Sequence, residues 1–148
     1  RAPNHTLTNP WRVTRLGPEA REAITELGVS IKCGEEAPPE RVAKVRKKLS
    51  DPPELLVVSQ VLAEDEFRRR EDYAAVACAI QNASLSLWSE GLGSKWSTGR
   101  VTRQPETYEI AQIDPERERI VGFLWAGYAA RTADPPRLPL EQVVRRVG

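Results

Sequence analysis

At 148 residues with 40% hydrophobic side chains, the chain has enough apolar material for one core and too little for two, so a single domain over residues 1–148 is expected. Its net charge of +1, from 22 basic and 21 acidic residues, supplies no field that would gather nucleic acid or an acidic membrane. No apolar run approaches the roughly 20 residues of a membrane span and no signal-peptide pattern opens the chain, which points to a soluble, cytoplasmic protein.

The opening, Arg1-Ala2-Pro3-Asn4-His5, reads as the middle of a loop and implies a fragment of a longer chain. Pro10 ends that loop. Trp11-Arg12-Val13-Thr14-Arg15-Leu16 then alternates apolar and polar residues of β-favouring type, a half-buried strand. Gly17 and Pro18 start a helix through about Leu27, with Ala20, Ala23, Ile24 and Leu27 on one face and Glu19 and Glu22 suited to its N-terminal end. Residues 28–39 read as a surface connection, and a second helix follows over about residues 39–49. Its Lys44, Arg46, Lys47 and Lys48 would suit phosphate or nucleic acid. Glu35, Glu36 and Glu40 and the near-zero net charge favour a solvated face instead. Arg68, Arg69 and Arg70, flanked by acidic residues, read the same way.

After the break at Asp51-Pro52-Pro53, Leu55-Leu56-Val57-Val58-Ser59 is a short continuous apolar run, suited to a central strand buried on both faces. The chain is organised around residues 72–99. From Tyr73 to Ile80 every side chain is apolar or small, and Ala83, Leu87 and Trp88 extend the pattern at helical spacing. A helix wrapped on most sides is expected, capped by Asp72 and stopped by a left-handed Gly91. Ala75, Ala79 and Ala83 recur every four positions and so form one stripe, where a partner helix could approach closely. Trp96 and Thr98 then favour extended backbone, and Gly99 leaves its N–H accessible, an edge against which a flat ligand could lie.

Pro105, Glu106, Thr107 and Tyr108 open a short helix, and residues 114–118 form a turn before the clearest strand of the chain, residues 119–128. Gly122 and Gly127 within it mark a bulge or a close backbone neighbour. The tail over residues 135–144 is too proline-rich to fold alone and must lie on something, a partner subunit included. Cys33, in the polar connection, and Cys78, in the buried helix, are expected to be reduced and unpaired.

Familiar catalytic patterns are missing. The sequence has no paired Cys/His metal spacing, no G-x-S-x-G elbow, no phosphate-binding P-loop and no G-x-G-x-x-G after a strand. With His5 as its only histidine, no Ser-His-Asp arrangement is supported and no catalytic acid or base is assigned. The residues by themselves describe a soluble α+β domain with a ligand edge at residues 96–99.

Four segments, in order, carry a resemblance. Arg1-Ala2-Pro3-Asn4-His5-Thr6-Leu7-Thr8-Asn9-Pro10-Trp11-Arg12 resembles the A-P-(S/D)-x-x-x-x-Q-P-W-R-F segment of FMN-dependent nitroreductases, with Asn9 in place of the glutamine. Gly91-Leu92-Gly93-Ser94-Lys95-Trp96-Ser97-Thr98-Gly99 is similar to that family's G-L-G-x-x-W-x-(T/S)-G. Residues 120–128 resemble its V-x-x-L-x-x-G-Y strand, and residues 136–144 its closing P-R-x-P-L-E-E-V-V.

The resemblance implies an α+β fold with a mostly antiparallel central sheet flanked by helices, assembled as a homodimer with the long helix in the dimer core and FMN between subunits. NAD(P)H would reduce the flavin, which would pass electrons to a small-molecule acceptor, a nitroaromatic or a quinone. By the same resemblance Arg1, Pro3 and His5 belong to the loop that reaches the flavin from the neighbouring subunit. Trp96, Ser97, Thr98 and Gly99 form the strand end along the isoalloxazine ring, and Arg137 meets the FMN phosphate. Fixed N–H donors stabilise the negative charge of a reduced flavin, and a guanidinium grips phosphate bidentately. The family's phosphate-binding Arg-Arg-Ser helix would lie before Arg1, so this chain is expected to bind FMN weakly and to depend on its dimer. Two alternatives stay open: a flavin-free, non-catalytic dimeric member, and a flavoenzyme of the same fold that removes halogen or cleaves the flavin itself.

Overall fold

The computed structural model describes residues 1–132 and 134–148. After a single 3-10 turn at His5–Leu7 come β1 (Trp11–Arg15), α1 (Pro18–Cys33), α2 (Pro39–Ser50) and β2 (Glu54–Val61). The long α3 (Glu66–Ser89) leads into β3 (Gly93–Ser97), a 3-10 turn at Arg100–Arg103, α4 (Pro105–Ala111), β4 (Glu118–Gly127) and the short α5 (Leu140–Val143). The strands form one antiparallel sheet in the order β1-β2-β4-β3, so the apolar β2 and β4 run down its middle. The expected α+β architecture is present.

Register explains which residues face which layer. Thr14 pairs with Val57 and Val57 with Phe123, all toward α1, α2 and α4; Val13, Val58 and Gly122 face α3. Between β2 and β4 the pairing steps from Val58 opposite Gly122 to Ser59 opposite Ile120, leaving Val121 as the extra residue of a bulge. Gly122 also has the close neighbour expected of it. A Cβ there would run into the Trp96 indole Nε1 and sit 2.8 Å from the Ser97 carbonyl oxygen, so glycine is what lets the ring cross the strand.

The layer under α1, α2 and α4 is an apolar core built on Ile24, Leu55, Val57, Val101, Phe123 and Trp125. The layer under α3 is smaller: Val58, Val76, Ile80, Val121 and Leu124. Glycine at 28 lets Leu49 press on the backbone of α1, where a Cβ would meet Leu49 Cδ1 at 2.5 Å.

Several expectations are corrected. The first helix continues six residues past Leu27 to Cys33 and stops at the left-handed Gly34 (φ 67°), so Gly28 is helical and the surface connection is shorter. Asp72 caps nothing. α3 begins at Glu66 with Asp65 as its cap, the Asp65 Oδ1 accepting from the Arg68 N–H at 2.8 Å, because residues 66–71 are good helix formers despite their charge. Asp72 lies in the helix, buried, and accepts a hydrogen bond from the Thr8 hydroxyl at 2.6 Å. The left-handed Gly91 after α3 is as expected (φ 77°).

α3 is not wrapped on most sides within one chain. Phe67, Tyr73, Leu85 and Trp88 are exposed. The alanine stripe is not its outer face either: Ala75 is buried on the sheet, Ala79 is half-buried and Ala83 is exposed. The basic runs are partly paired, Arg46 with Glu22 and Glu26, Lys47 with Asp51, and Arg68 with Glu71. Residues 134–148 are exposed and without regular structure apart from α5.

Candidate functional site

Trp96 and Ser97 end β3, at one edge of the sheet, and Thr98 and Gly99 leave it. Alternation along the strand sends Trp96 to the α3 side over Gly122 and Ser97 to the opposite side, where its Oγ accepts a hydrogen bond from Trp125 Nε1 at 2.9 Å. Phe123 packs edge-to-face on Trp125 with ring centroids 6.0 Å apart. A rigid aromatic floor therefore fixes the strand end.

Gly99 is held from one side only. Its carbonyl accepts from the Thr102 N–H at 3.1 Å and the Thr102 hydroxyl at 2.9 Å, while among the described residues its own N–H has no partner. Its backbone, φ −88° and ψ 179°, suits any residue, and a Cβ there would meet nothing within 4 Å. Nothing inside this chain requires glycine at 99.

Two cavities flank this strand end. One, of about 1070 Å³, lies toward α3 and is lined by Thr98, Tyr73, Tyr108, Arg70, Arg103 and Arg119 among others. The other, of about 330 Å³, lies toward α1 and α2 and includes Ser97, Gly99, Phe123 and Trp125, with Lys32, Lys48 and Lys95 among its lining. Burial is the main cause that lowers the Lys32 pKa, and the charges of Lys48 and Lys95 lower it further.

The remaining residues named from sequence lie elsewhere. Arg1, Pro3 and His5 precede β1, at the opposite edge of the four-stranded sheet, three strand spacings or about 14 Å from β3. Their loop is bound to α3: His5 Nδ1 lies 2.8 Å from Glu71 Oε1, Thr8 bonds Asp72, and Arg68 bonds the Thr6 hydroxyl. Arg137 is exposed in the tail, and among the described residues its guanidinium bonds the Pro136 carbonyl at 3.4 Å. One chain thus brings Trp96, Ser97, Thr98 and Gly99 together and leaves Arg1, Pro3, His5 and Arg137 apart from them.

The cavity lysines and arginines were not visible as a site in the sequence, because residues 32, 48 and 95 come from three elements that only the fold joins. Alternation offered one signal, placing Lys95 on the same face as Ser97. Among the described residues no group of three His, Cys, Asp or Glu side chains could hold a metal, and no helix is long and apolar enough to cross a membrane.

The model of the family described as "Nitroreductase family" matches residues 1–128. The chain belongs to the Nitroreductase family. Among its relatives is the "Putative NAD(P)H nitroreductase YfhC" of Bacillus subtilis (strain 168), 29% identical over 130 residues that are 86% of this chain and 66% of that protein. The crystal structure of a nitroreductase-like family protein from Bacillus cereus superposes with a TM-score of 0.78 at 29% identity, covering 99% of this chain and 78% of that one. A Desulfovibrio desulfuricans protein solved in complex with FMN shares the fold, with a TM-score of 0.73 at 18% identity over 99% of this chain and 77% of its own. This nitroreductase-family chain therefore spans just under two thirds of the Bacillus subtilis relative, and the free Gly99 N–H lies in the stretch that resembles the family's W-x-(T/S)-G.

Proposed function

We propose that the protein is a flavin-dependent oxidoreductase, active as a homodimer, that moves electrons from NADH or NADPH through FMN to a nitroaromatic or quinone acceptor. The observation that carries the reading is the division of the motif residues between opposite edges of one sheet. A single chain has half a site at each edge, and a second copy is the simplest partner to supply the other half. The exposed α3 face, with Phe67, Leu85 and Trp88, offers apolar surface on which such a copy could seat. The relatives' names and the FMN complex of a same-fold protein support the cofactor assignment.

The residues present fit a flavin, because an exposed, unpartnered N–H at Gly99 beside aromatic Trp96 is a donor for a flat acceptor ring. FMN, when bound, supplies the redox chemistry, taking a hydride from the nicotinamide and giving electrons to the acceptor. The chain supplies position and field. The Thr98 and Gly99 backbone would donate to the flavin ring where it accumulates negative charge, with Trp96 on the same strand end. Arg137 would pair with the phosphate, and the His5–Glu71 contact would hold the loop of Arg1, Pro3 and His5 for the partner's site. No side chain is required as acid or base.

The test is reconstitution with FMN followed by anaerobic addition of NADH or NADPH. Flavin absorbance should bleach and then return when a nitroaromatic is added. Protein that takes up no flavin, or bound flavin that neither nicotinamide reduces, overturns the reading. Sharing between subunits is tested separately: a Gly99→Val chain and a His5→Ala/Arg1→Ala chain, each inactive alone, should regain activity when mixed, since one site in each mixed dimer is intact.

A further inference from the structure

The smaller cavity beside the strand end has a composition the flavin reading does not use. Its floor is apolar, with Ile24, Leu49, Val101, Phe123 and Trp125, and its rim is basic, with Lys32, Lys48 and Lys95. No acidic side chain lines it, and among the described residues none of the three lysines has an ion-pair partner. A few basic groups elsewhere do have acidic partners, Arg15 with Glu54, Arg46 with Glu22 and Glu26, and Lys47 with Asp51, whereas the cavity offers its lysines none. Lys32, Lys48 and Lys95 line one apolar recess, where burial lowers the Lys32 pKa and the like charges of Lys48 and Lys95 lower it further by repulsion. An anion relieves that repulsion. A volume of about 330 Å³ is at the small end for ligand cavities and accommodates one aromatic ring with a substituent, not a nucleotide.

We propose that this cavity binds a small aromatic carboxylate, its ring on the Phe123–Trp125 floor and its carboxylate among Lys32, Lys48 and Lys95, next to Gly99. Resting on the oxidoreductase reading above, this makes the preferred acceptor an anionic aromatic compound, with specificity set by the three lysines. With reduced FMN as the donor, the nitro group of such an acceptor would take up two electrons and two protons, becoming nitroso with release of water, and the lysines take no part in that step. They hold the carboxylate, while the neutral end of the ring points toward the strand end that lines the same recess.

Calorimetric titration of the FMN-loaded protein with 4-nitrobenzoate, its neutral methyl ester and inorganic phosphate tests the site. The acid should bind more tightly than the ester, and both Lys48→Gln and Lys95→Gln should weaken the acid about tenfold to a hundredfold, as loss of one charge-assisted contact does, without changing the ester. Lys44→Gln, on the same helix as Lys48 but outside the cavity, should leave both unchanged and so separates a local contact from net charge. Added salt should weaken the acid alone. Equal affinity for acid and ester, no effect of the cavity lysines, or displacement of the acid by phosphate at equal concentration overturns the proposal. The two readings fail differently. Reduction of the neutral ester without binding of the acid removes the anion site and spares the oxidoreductase, whereas binding of the acid by a protein whose flavin no nicotinamide reduces removes the oxidoreductase.

Discussion

The two faces of the sheet are finished to different degrees. On the side of α1, α2 and α4 the register delivers Leu55, Val57, Phe123 and Trp125 to a layer that leaves each of them at most 7% exposed. On the α3 side the helix covers Val58, Val121 and Leu124 of the two central strands but not the edge strands: Val13 is 59% exposed and Trp96 38%. α3 itself leaves Phe67, Leu85 and Trp88 in the open on its outer side. The chain closes one hydrophobic layer by itself and presents the other as a surface. Since a fold is stabilised by about 25 cal/mol for each Å² of apolar surface removed from water, the closed layer holds the monomer and the open one is available for association.

The largest effect that this contrast predicts is on the closed face. Phe123→Ala should cost about 3–5 kcal/mol by urea denaturation, because the emptied space lies between Trp125 and the α1 layer and cannot refill. A cost below about 1 kcal/mol would mean that this layer is not the stabilising core. On the open face Leu85→Glu should cost a lone chain no more than about 0.5 kcal/mol, since the side chain is already solvated. In a dimer seated on α3 the same change buries a charge, and self-association measured by sedimentation should weaken at least about a hundredfold, the size of an interface hot spot. A wild-type chain that sediments as a monomer at micromolar concentration removes the dimer altogether.

Two glycines divide the faces more finely. Gly122→Ala forces the Trp96 ring off the strand and should cost about 1–3 kcal/mol as overpacking. Gly99→Ala meets no neighbour and already has an ordinary backbone conformation, so stability should hold or rise by a few tenths to about 1 kcal/mol. With FMN on this strand end as proposed, Gly99→Val should obstruct the ring and weaken flavin binding, whereas Thr98→Val should leave the backbone donors in place and retain FMN. Fluorescence titration that finds the two variants equal to wild type would remove the strand end from the flavin site.

These faces were unequally legible in the sequence. Strand periodicity gave β1 and β4 to within a residue and the apolar centre of β2, which extends from residues 55–59 to Glu54–Val61, because a central strand reads as a continuous apolar run and an edge strand as alternation. The helices were harder to bound. Residues 66–71 are charged yet helical, and Gly28 is a helix breaker by propensity that the Leu49 contact overrides. The apolar run from Tyr73 to Ile80 suggested a helix buried all round, but an amphipathic pattern cannot distinguish burial on one's own sheet from burial on a partner, and in one chain Tyr73 and Ala74 are exposed and Ala77, Cys78 and Ala79 only half-buried. The strand-end motif was readable because its residues are contiguous. The lysine cavity was not, since its parts are separated by 16 and 47 residues and meet only across the folded layer.

The smallest effect belongs to the uncovered end of the α3 face, where Arg15 and Glu54 meet across β1 and β2. The guanidinium donates through Nε at 2.8 Å and Nη2 at 2.6 Å to the two carboxylate oxygens, a bidentate pair open to solvent. The hydrogen bonds from Arg15 hold the Glu54 carboxyl below its usual range, and Glu54 in turn raises Arg15. The unfolded chain therefore takes up the Glu54 proton at a higher pH than the folded one. Stability from the pair is fully present above the unfolded carboxyl pKa of about 4.5 and is lost as pH falls through the lower folded value. Arg15 stays charged throughout and adds nothing to this window. Full exposure lets water and salt screen the pair, so its contribution is slight even at neutral pH. Glu54→Gln should then leave the thermal midpoint at pH 7 almost unchanged, and the small acid-dependent fall of wild type below pH 4.5 should be shallower in the variant. If Glu54→Gln instead lowers the midpoint markedly at pH 7, the pair is screened from solvent by a partner seated on this end of the face, and the open surface extends from α3 to the β1 edge.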